Sequence, residues 1–215
     1  TYVYEDRFID GDSQLTVLVD SKSSVANRME DALNDAIADG HPLLSRLPRI
    51  GVTYKSGDWE RTFSCLSLPH RAYDAHIRFG SVNGVPTAQA PEYVAARNSD
   101  PADAMAMTNM SFATVAFGGW DSSRRTRQGR FPSLMVGEII GVLANQDATE
   151  PRPAEHSGAR VDPVAMGLDL SQPQMDELLK PQAQEYSQKF LKSKSKKPST
   201  LGLGGIPPQA DGLAG

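Results

Sequence analysis

Short apolar runs follow one another along the 215 residues as strand, strand, helix, short strands, strand, helix, and this order predicts an α+β fold. Three observations carry the prediction. The β-branched run Leu15–Val19 feeds directly into an amphipathic stretch that starts near Ser24. A second strand-like run, Ser111–Phe117, is again followed by a stretch of three-to-four spacing, Pro132–Asn145. Between these two halves lie short runs separated by Pro, Gly and Asp, as in antiparallel sheets.

Each element has its own warrant. Residues 2–9 alternate well enough for a first strand, and 15–19 form the second. The first helix is expected over 24–39, because Val25, Met29, Ala32, Leu33, Ala36 and Ile37 make one apolar stripe. Gly40 closes it, and Asp31, Asp35 and Asp39 keep the other face wet. After Pro42 and Pro48, strands are expected at 50–55, 61–68 and 75–79, the first two joined by a turn at Ser56-Gly57-Asp58. Residues 80–104 read as a surface insertion with little periodicity. Gly118-Gly119 connects the strand at 111–117 to Trp120, and the second helix carries Leu134, Met135, Ile139, Val142 and Leu143. Residues 146–159 read as a loop, and 160–170 as a strand interrupted at Pro163. Ser171 is placed to cap a short helix bearing Met175, Leu178 and Leu179, which Pro181 breaks or kinks. The chain thus divides into a core at 1–192 and a Lys-, Gly- and Pro-rich segment at 193–215 that is flexible or ordered by a partner. The whole order suits a split β-α-β sandwich of ferredoxin type, with helices on one face of the sheet. RNA-recognition domains use the same general architecture.

Composition narrows the function classes. A formal charge of −4 gives no overall attraction to nucleic acid, so such binding must use local patches. Two exist: Arg124, Arg125, Arg127 and Arg130, and the lysines between Lys189 and Lys197. The single cysteine, Cys65, excludes an intramolecular disulfide and fits a reducing compartment. No apolar run is long enough for a membrane span, so a soluble cytoplasmic protein without membrane partners is expected.

Residues 20–30, DSKSSVANRME, place Ser21, Lys22, Ser23, Asn27 and Arg28 around the first turn of a helix. Helix N-termini present unpaired N–H groups and the positive dipole end, so this turn suits a phosphate; a capped, solvated helix start is the plainer alternative. The second constellation is WDSSRRTRQGR at 120–130. Guanidiniums bind phosphate through paired donors, and Trp120 offers a surface on which a base can stack. His70 and Arg71 follow a strand end and are placed to reach a phosphate or a ribose hydroxyl.

The motifs V-D-S-x-x-S-x-A-N-R-M-E (19–30), L-x-L-P-H-R (66–71), W-D-S-S-R (120–124), G-A-R-V-D-P-V (158–164) and L-G-L-G-G-I-P-P (201–208) stand in one order along nearly the whole chain. In that order they resemble the RAMP-superfamily backbone subunit of type I CRISPR surveillance complexes (Cascade), specifically the I-G variant, formerly I-U. The resemblance implies a modified RNA-recognition (RRM-like) fold shaped like a hand, which oligomerises along CRISPR RNA without cutting it. It also implies target DNA, neighbouring copies of the same subunit, other Cascade subunits and a recruited helicase-nuclease as partners. No cofactor, metal or catalytic residue is implied. Further chain before the first motif and after the Gly-Gly segment is expected. Carried onto this sequence, the RNA-binding residues are Ser21, Lys22, Ser23, Asn27, Arg28, His70, Arg71, Trp120, Ser122, Ser123, Arg124, Arg125 and Arg127. Lys192, Lys194, Lys196 and Lys197 are assigned to the target strand or an adjacent subunit.

Two rival readings remain open at this point. Related backbone subunits of type III complexes cleave target RNA through an aspartate, and Asp20 and Asp121 are the acids nearest the expected RNA surface. Pairing with Arg28 and Arg124 explains both acids equally well. A stand-alone hydrolase would draw on Cys65, His70, Asp74 and His76, although no HExxH, CxxC or nucleophile-elbow motif supports it.

Overall fold

Asp10 and Gly11 both adopt positive φ, 52° and 94°, which is the geometry a two-residue hairpin turn requires. They join β1 (Val3–Ile9) to β2 (Asp12–Asp20), paired antiparallel from Val3 opposite Leu18 to Ile9 opposite Asp12. The computed structural model describes residues 3–124, 128–147, 149, 152, 156–160, 168–204 and 209–212, with the backbone alone for 156–160 and 209–212. The fold is α+β with small antiparallel sheets and several helices, compatible with the ferredoxin-like class.

Helix α1 (Lys22–Ala38) follows β2 directly. Gly40, at φ 77°, ends it: its N–H bonds the Ile37 carbonyl and that of His41 bonds the Ala36 carbonyl, a Schellman closure. The hairpin β3 (Gly51–Ser56) and β4 (Trp59–Ser64) turns at Gly57, φ 58°, as the sequence predicts.

Before residue 120, three stretches take a form other than the expected one. Residues 75–79 make α2 (Ala75–Arg78) rather than a strand, because the Asp74 carboxylate accepts the His76 N–H at 2.9 Å and starts a helical turn. The insertion at 80–104 is ordered: β5 (Ser81–Val82) and β6 (Val85–Pro86) pair around Asn83-Gly84, both at positive φ, and Pro91 opens α3 (Pro91–Asn98). Helix α4 (Met105–Met110) then leads to α5 (Phe112–Ala116), where a strand was expected. There Ser111 caps by accepting the Thr114 N–H, and a local cap outweighs a short apolar run. The two-residue strands β7 (Gly119–Trp120) and β8 (Arg130–Phe131) pair across the arginine loop.

The expected helix at 132–145 is replaced by β9 (Ile139–Val142), which pairs antiparallel with β2 to give the sheet order β1-β2-β9. Pro132, Gly137 and Gly141 weaken a helix there, and Ile139, Ile140 and Val142 are β-branched. A Cβ at Gly141 would meet Val17 at 3.2 Å, so the missing side chain lets the strands close up. Strands β10 (His156–Arg160) and β11 (Gln209–Gly212) also pair antiparallel, the former starting inside the expected loop at 146–159 and ending on the first residue of the expected strand. The expected break at Pro163 lies outside the described residues. Helix α6 (Gln172–Leu179) begins as predicted, the Ser171 N–H donating to Gln174 Oε1 at 2.9 Å. After it the chain tightens into a 3₁₀ stretch at Pro181, forms α7 (Gln188–Leu191) and a 3₁₀ turn at Pro198–Leu201.

The chain divides into two units. One comprises Thr1–Met29, Val136–Asp162 and Pro207–Gly215; the other comprises Glu30–Met135 and Pro163–Ile206. In the second, one core cluster holds Ala72, Tyr73, Ala96, Met107 and Phe131, and another holds Ala75, Met175, Leu179, Leu201 and Leu203. Leu201 and Leu203 come from the segment expected to be flexible or ordered by a partner, and their burial packs these two residues against α2 and α6.

Candidate nucleic-acid interface

In the first unit, the turn entering α1 is held by Ser21, whose hydroxyl accepts the Ser24 N–H at 3.3 Å. Lys22, Ser23, Asn27 and Arg28 are exposed. Nε of Arg28 lies 2.9 Å from the carboxylate of Asp20, yet the arginine side chain is 73% exposed and Asp20 only 11%. Asp20 therefore aims the guanidinium while leaving it open to an anion.

In the second unit, His70 and Arg71 separate. His70 is exposed, whereas Arg71 adopts φ 50° and turns its guanidinium inward. Nε and Nη2 each meet one oxygen of Glu30 at 2.6 Å, and Nη1 donates to the Gly118 carbonyl at 3.0 Å. Burial raises the Glu30 carboxyl above its ordinary value, against the pull of the arginine. Arg71 thus pins α1 to the approach of the Trp120 hairpin, and its donors are spent on the protein itself.

Trp120 sits on that hairpin, 48% exposed. Two glycines set it there, because Gly119 in β7 and Gly129 just before β8 both lie against Tyr73. A Cβ at Gly129 would fall 2.5 Å from the Tyr73 hydroxyl, and one at Gly119 would fall 3.1 Å from the ring. The Trp120 indole N–H donates to Gln128 Oε1 at 3.1 Å, and the Arg130 guanidinium lies 4.7 Å from the indole centroid. Arg130 belongs to the sequence cluster but was not assigned as an RNA contact; its place directly opposite Trp120 across the hairpin makes it one half of an aromatic and cationic platform.

The rest of the motif is structural at its base. Asp121 and Arg97 are buried together, with Nη2 of Arg97 2.7 Å from the carboxylate. Nη1 of the same arginine meets Glu185 at 2.9 Å, and Ser123 Oγ donates to Asp121 at 2.7 Å. Ser122 is exposed. Arg124 donates to the Arg97 carbonyl at 3.2 Å and to Asn98 Oδ1 at 2.9 Å, and its side chain is 14% exposed. Arg97 and Glu185 were invisible to sequence reasoning, since one lies in the insertion and the other in an unremarkable polar stretch. Arg125 and Arg127 lie outside the described residues.

Among the lysines, Lys192, Lys194 and Lys197 are exposed. Lys196 is buried: its amine meets Asp176 at 2.9 Å and the Ser193 carbonyl at 2.5 Å, which spends it on the fold. The groups of the hydrolase reading are dispersed in role. Cys65 is fully buried and burial raises its thiol, His76 Nδ1 is engaged by the Tyr54 hydroxyl at 2.6 Å, and Asp74 caps α2. Among the described residues no group of three or more His, Cys, Asp or Glu is placed to hold a metal ion, and no helix is long and apolar enough to cross a membrane.

No curated protein and no solved structure matches the chain. The family model described as CRISPR-associated protein GSU0053 (Cas_GSU0053) matches residues 1–146, which span both the α1 turn and the Trp120 hairpin. With more than half of its length matched, the chain belongs to this family of CRISPR-associated proteins.

Proposed function

We propose that the protein is a non-catalytic, guide-RNA-binding backbone subunit of a type I CRISPR interference complex. Copies line up along the CRISPR RNA, hold it by phosphate and stacking contacts, and support its pairing with target DNA; the cutting is done by a separate helicase-nuclease. The observation that carries this reading is the exposed Trp120 with Arg130 stacked on it, in a chain that belongs to a CRISPR-associated family. An indole face is indifferent to base identity, and a guanidinium beside it serves either the phosphate or the next base. The exposed Arg28 on α1 adds a phosphate contact of the same sequence-tolerant kind. Lys192, Lys194 and Lys197 are kept for the target strand or an adjacent subunit, and Arg71 and Lys196 are left out because their charges are internally paired.

The non-catalytic part of the proposal draws on Asp121. A carboxylate with no exposed surface, bridged to Arg97 and hydrogen-bonded by Ser123, is poorly placed to take a proton from a substrate or to hold a metal. The experiment is binding of the purified protein to a fluorescent CRISPR-repeat-spacer RNA. Trp120→Ala is expected to weaken binding about tenfold or more for every spacer sequence, with Trp120→Phe recovering most of it. Equal binding by wild type and Trp120→Ala, or regular RNA cuts that disappear in Asp121→Asn, would overturn the assignment.

A further inference from the structure

The second unit holds a cavity of about 450 Å³, open to solvent and walled by Phe79, Pro86, Leu170, Leu178 and Pro181, with Arg78 in its lining. Arg78 is 4% exposed and ends α2. Its Nη1 donates to Gln182 Oε1 at 2.7 Å and to the Tyr186 hydroxyl at 3.0 Å, its Nη2 reaches only the Leu201 carbonyl at 3.5 Å, and its Nε has no partner. Among the described residues no carboxylate pairs with it, although every other buried cation described, Arg97 and Lys196, has one. A buried guanidinium surrounded by neutral acceptors leaves a positive potential in the pocket, and an apolar wall beside it favours an apolar group with a nearby negative charge. Glu177, at the rim, is already paired to Lys180.

The first unit carries the complement. Phe8 is 83% exposed, the most exposed of the large apolar side chains described. It stands near the tip of the β1–β2 hairpin with Asp6 on the same strand face and Asp10 and Asp12 at the turn, all exposed. None of these three carboxylates forms an ion pair among the described residues. An aromatic knob ringed by unpaired acids faces water, and a greasy cavity with an unpaired arginine lies elsewhere on the same chain.

We propose that the Phe8 hairpin of one copy docks into the Arg78 cavity of a second copy, with Phe8 against the apolar wall and the hairpin aspartates supplying the missing counter-charge. Because knob and hole are different surfaces of the chain, the contact is head-to-tail and propagates from copy to copy. The inference rests on the array of copies in the proposed function and names the surfaces that make it.

The test mixes two single-cysteine-added chains, one with Ser13→Cys beside Phe8 and one with Ser81→Cys at the cavity, and treats them with a short bismaleimide in the absence of RNA. Cys65 is buried and stays unreactive. A mixed cross-linked dimer is expected, in excess over the products of either chain alone. It should fall about tenfold when the first chain also carries Phe8→Ala or the second carries Leu178→Trp, which fills the cavity. No mixed product, or a product indifferent to both changes, would overturn the contact. Phe8→Ala should bind a short RNA oligonucleotide as wild type does; if instead wild-type RNA binding is absent while cross-linking persists, the RNA reading falls and this contact stands.

Discussion

Asp121 and Arg97 face each other at 2.7 Å with neither side chain more than 1% exposed, and this pair is the footing of the Trp120 hairpin. Asp121 follows Trp120 directly, and Arg97 comes from α3 and also holds Glu185 at 2.9 Å. The most conspicuous acid of the WDSSR motif is therefore an anchor. Removing it takes the fully buried counter-ion from a buried guanidinium and leaves Arg97 with Glu185 alone, so Asp121→Ala is expected to cost about 3–5 kcal/mol in urea denaturation. The double change Asp121→Ala with Arg97→Met should recover part of that loss, since the buried guanidinium is then gone and Glu185 keeps Arg124 at 4.0 Å; strict additivity would contradict the pairing.

Gly129 carries the same hairpin over Tyr73. A Cβ there would press within 2.5 Å of the phenol oxygen. Gly129→Ala is expected to destabilise by about 1–3 kcal/mol and to weaken RNA binding with it. Tyr73→Phe, which makes room and removes a buried hydroxyl that has no partner, should relieve much of the loss. Thermal unfolding of the two single variants and the double variant checks this.

Arg28 is the opposite case, because its ion pair with Asp20 is largely solvated. Arg28→Ala should leave stability within about 1 kcal/mol of wild type. In RNA binding it should lower the slope of log affinity against log salt by about 0.7, with no change in base preference. A loss confined to particular sequences would show that Arg28 reads bases.

Stability should respond to acid through the Arg7–Glu138 pair, which joins β1 to the approach of β9. The hydrogen bonds from Arg7 hold the Glu138 carboxyl below its ordinary value of 4.5. A carboxyl depressed in the folded state contributes stability above its unfolded pKa and loses that contribution as the pH falls through the folded one. Glu138→Gln should therefore be less stable than wild type at neutral pH, and the gap should close as the pH falls below 4.5 in a series of urea melts.

Lys194 and Lys196 stand two residues apart and should behave differently. Lys196→Met breaks the buried contact with Asp176 and the Ser193 carbonyl and is expected to lower the melting temperature by several degrees, whereas Lys194→Met should leave it unchanged.

Local signals were legible wherever one residue type dictates the backbone. Gly57 turned its hairpin, Gly40 ended α1, Ser171 opened α6 and Pro181 broke it. The α1 turn and the Trp120 loop could be named from the sequence because hydroxyls, amides and guanidiniums were concentrated in a few residues. Where the signal was a bare apolar run, a neighbouring cap or a tertiary partner decided. Residues 111–117 became α5 through a cap at Ser111, and 132–145 gave up a helical stripe so that β9 could pair with the open edge of β2.

What the sequence settled by itself, then, was the α+β class, the turns at Gly40 and Gly57, the cap at Ser171 and the identity of the charged clusters, since each follows from nearest-neighbour sterics or composition. Which of those charges face water and which are consumed by the fold was decided only in three dimensions. Arg28 and Arg71 read alike in the sequence. Glu30 lies two turns beyond Ser23 along α1 and 41 positions before Arg71, and only the folded chain brings that carboxylate to the second arginine while leaving the first in solvent. Ion pairing depends on distance through space, and a linear sequence carries no record of that distance until the backbone has closed it.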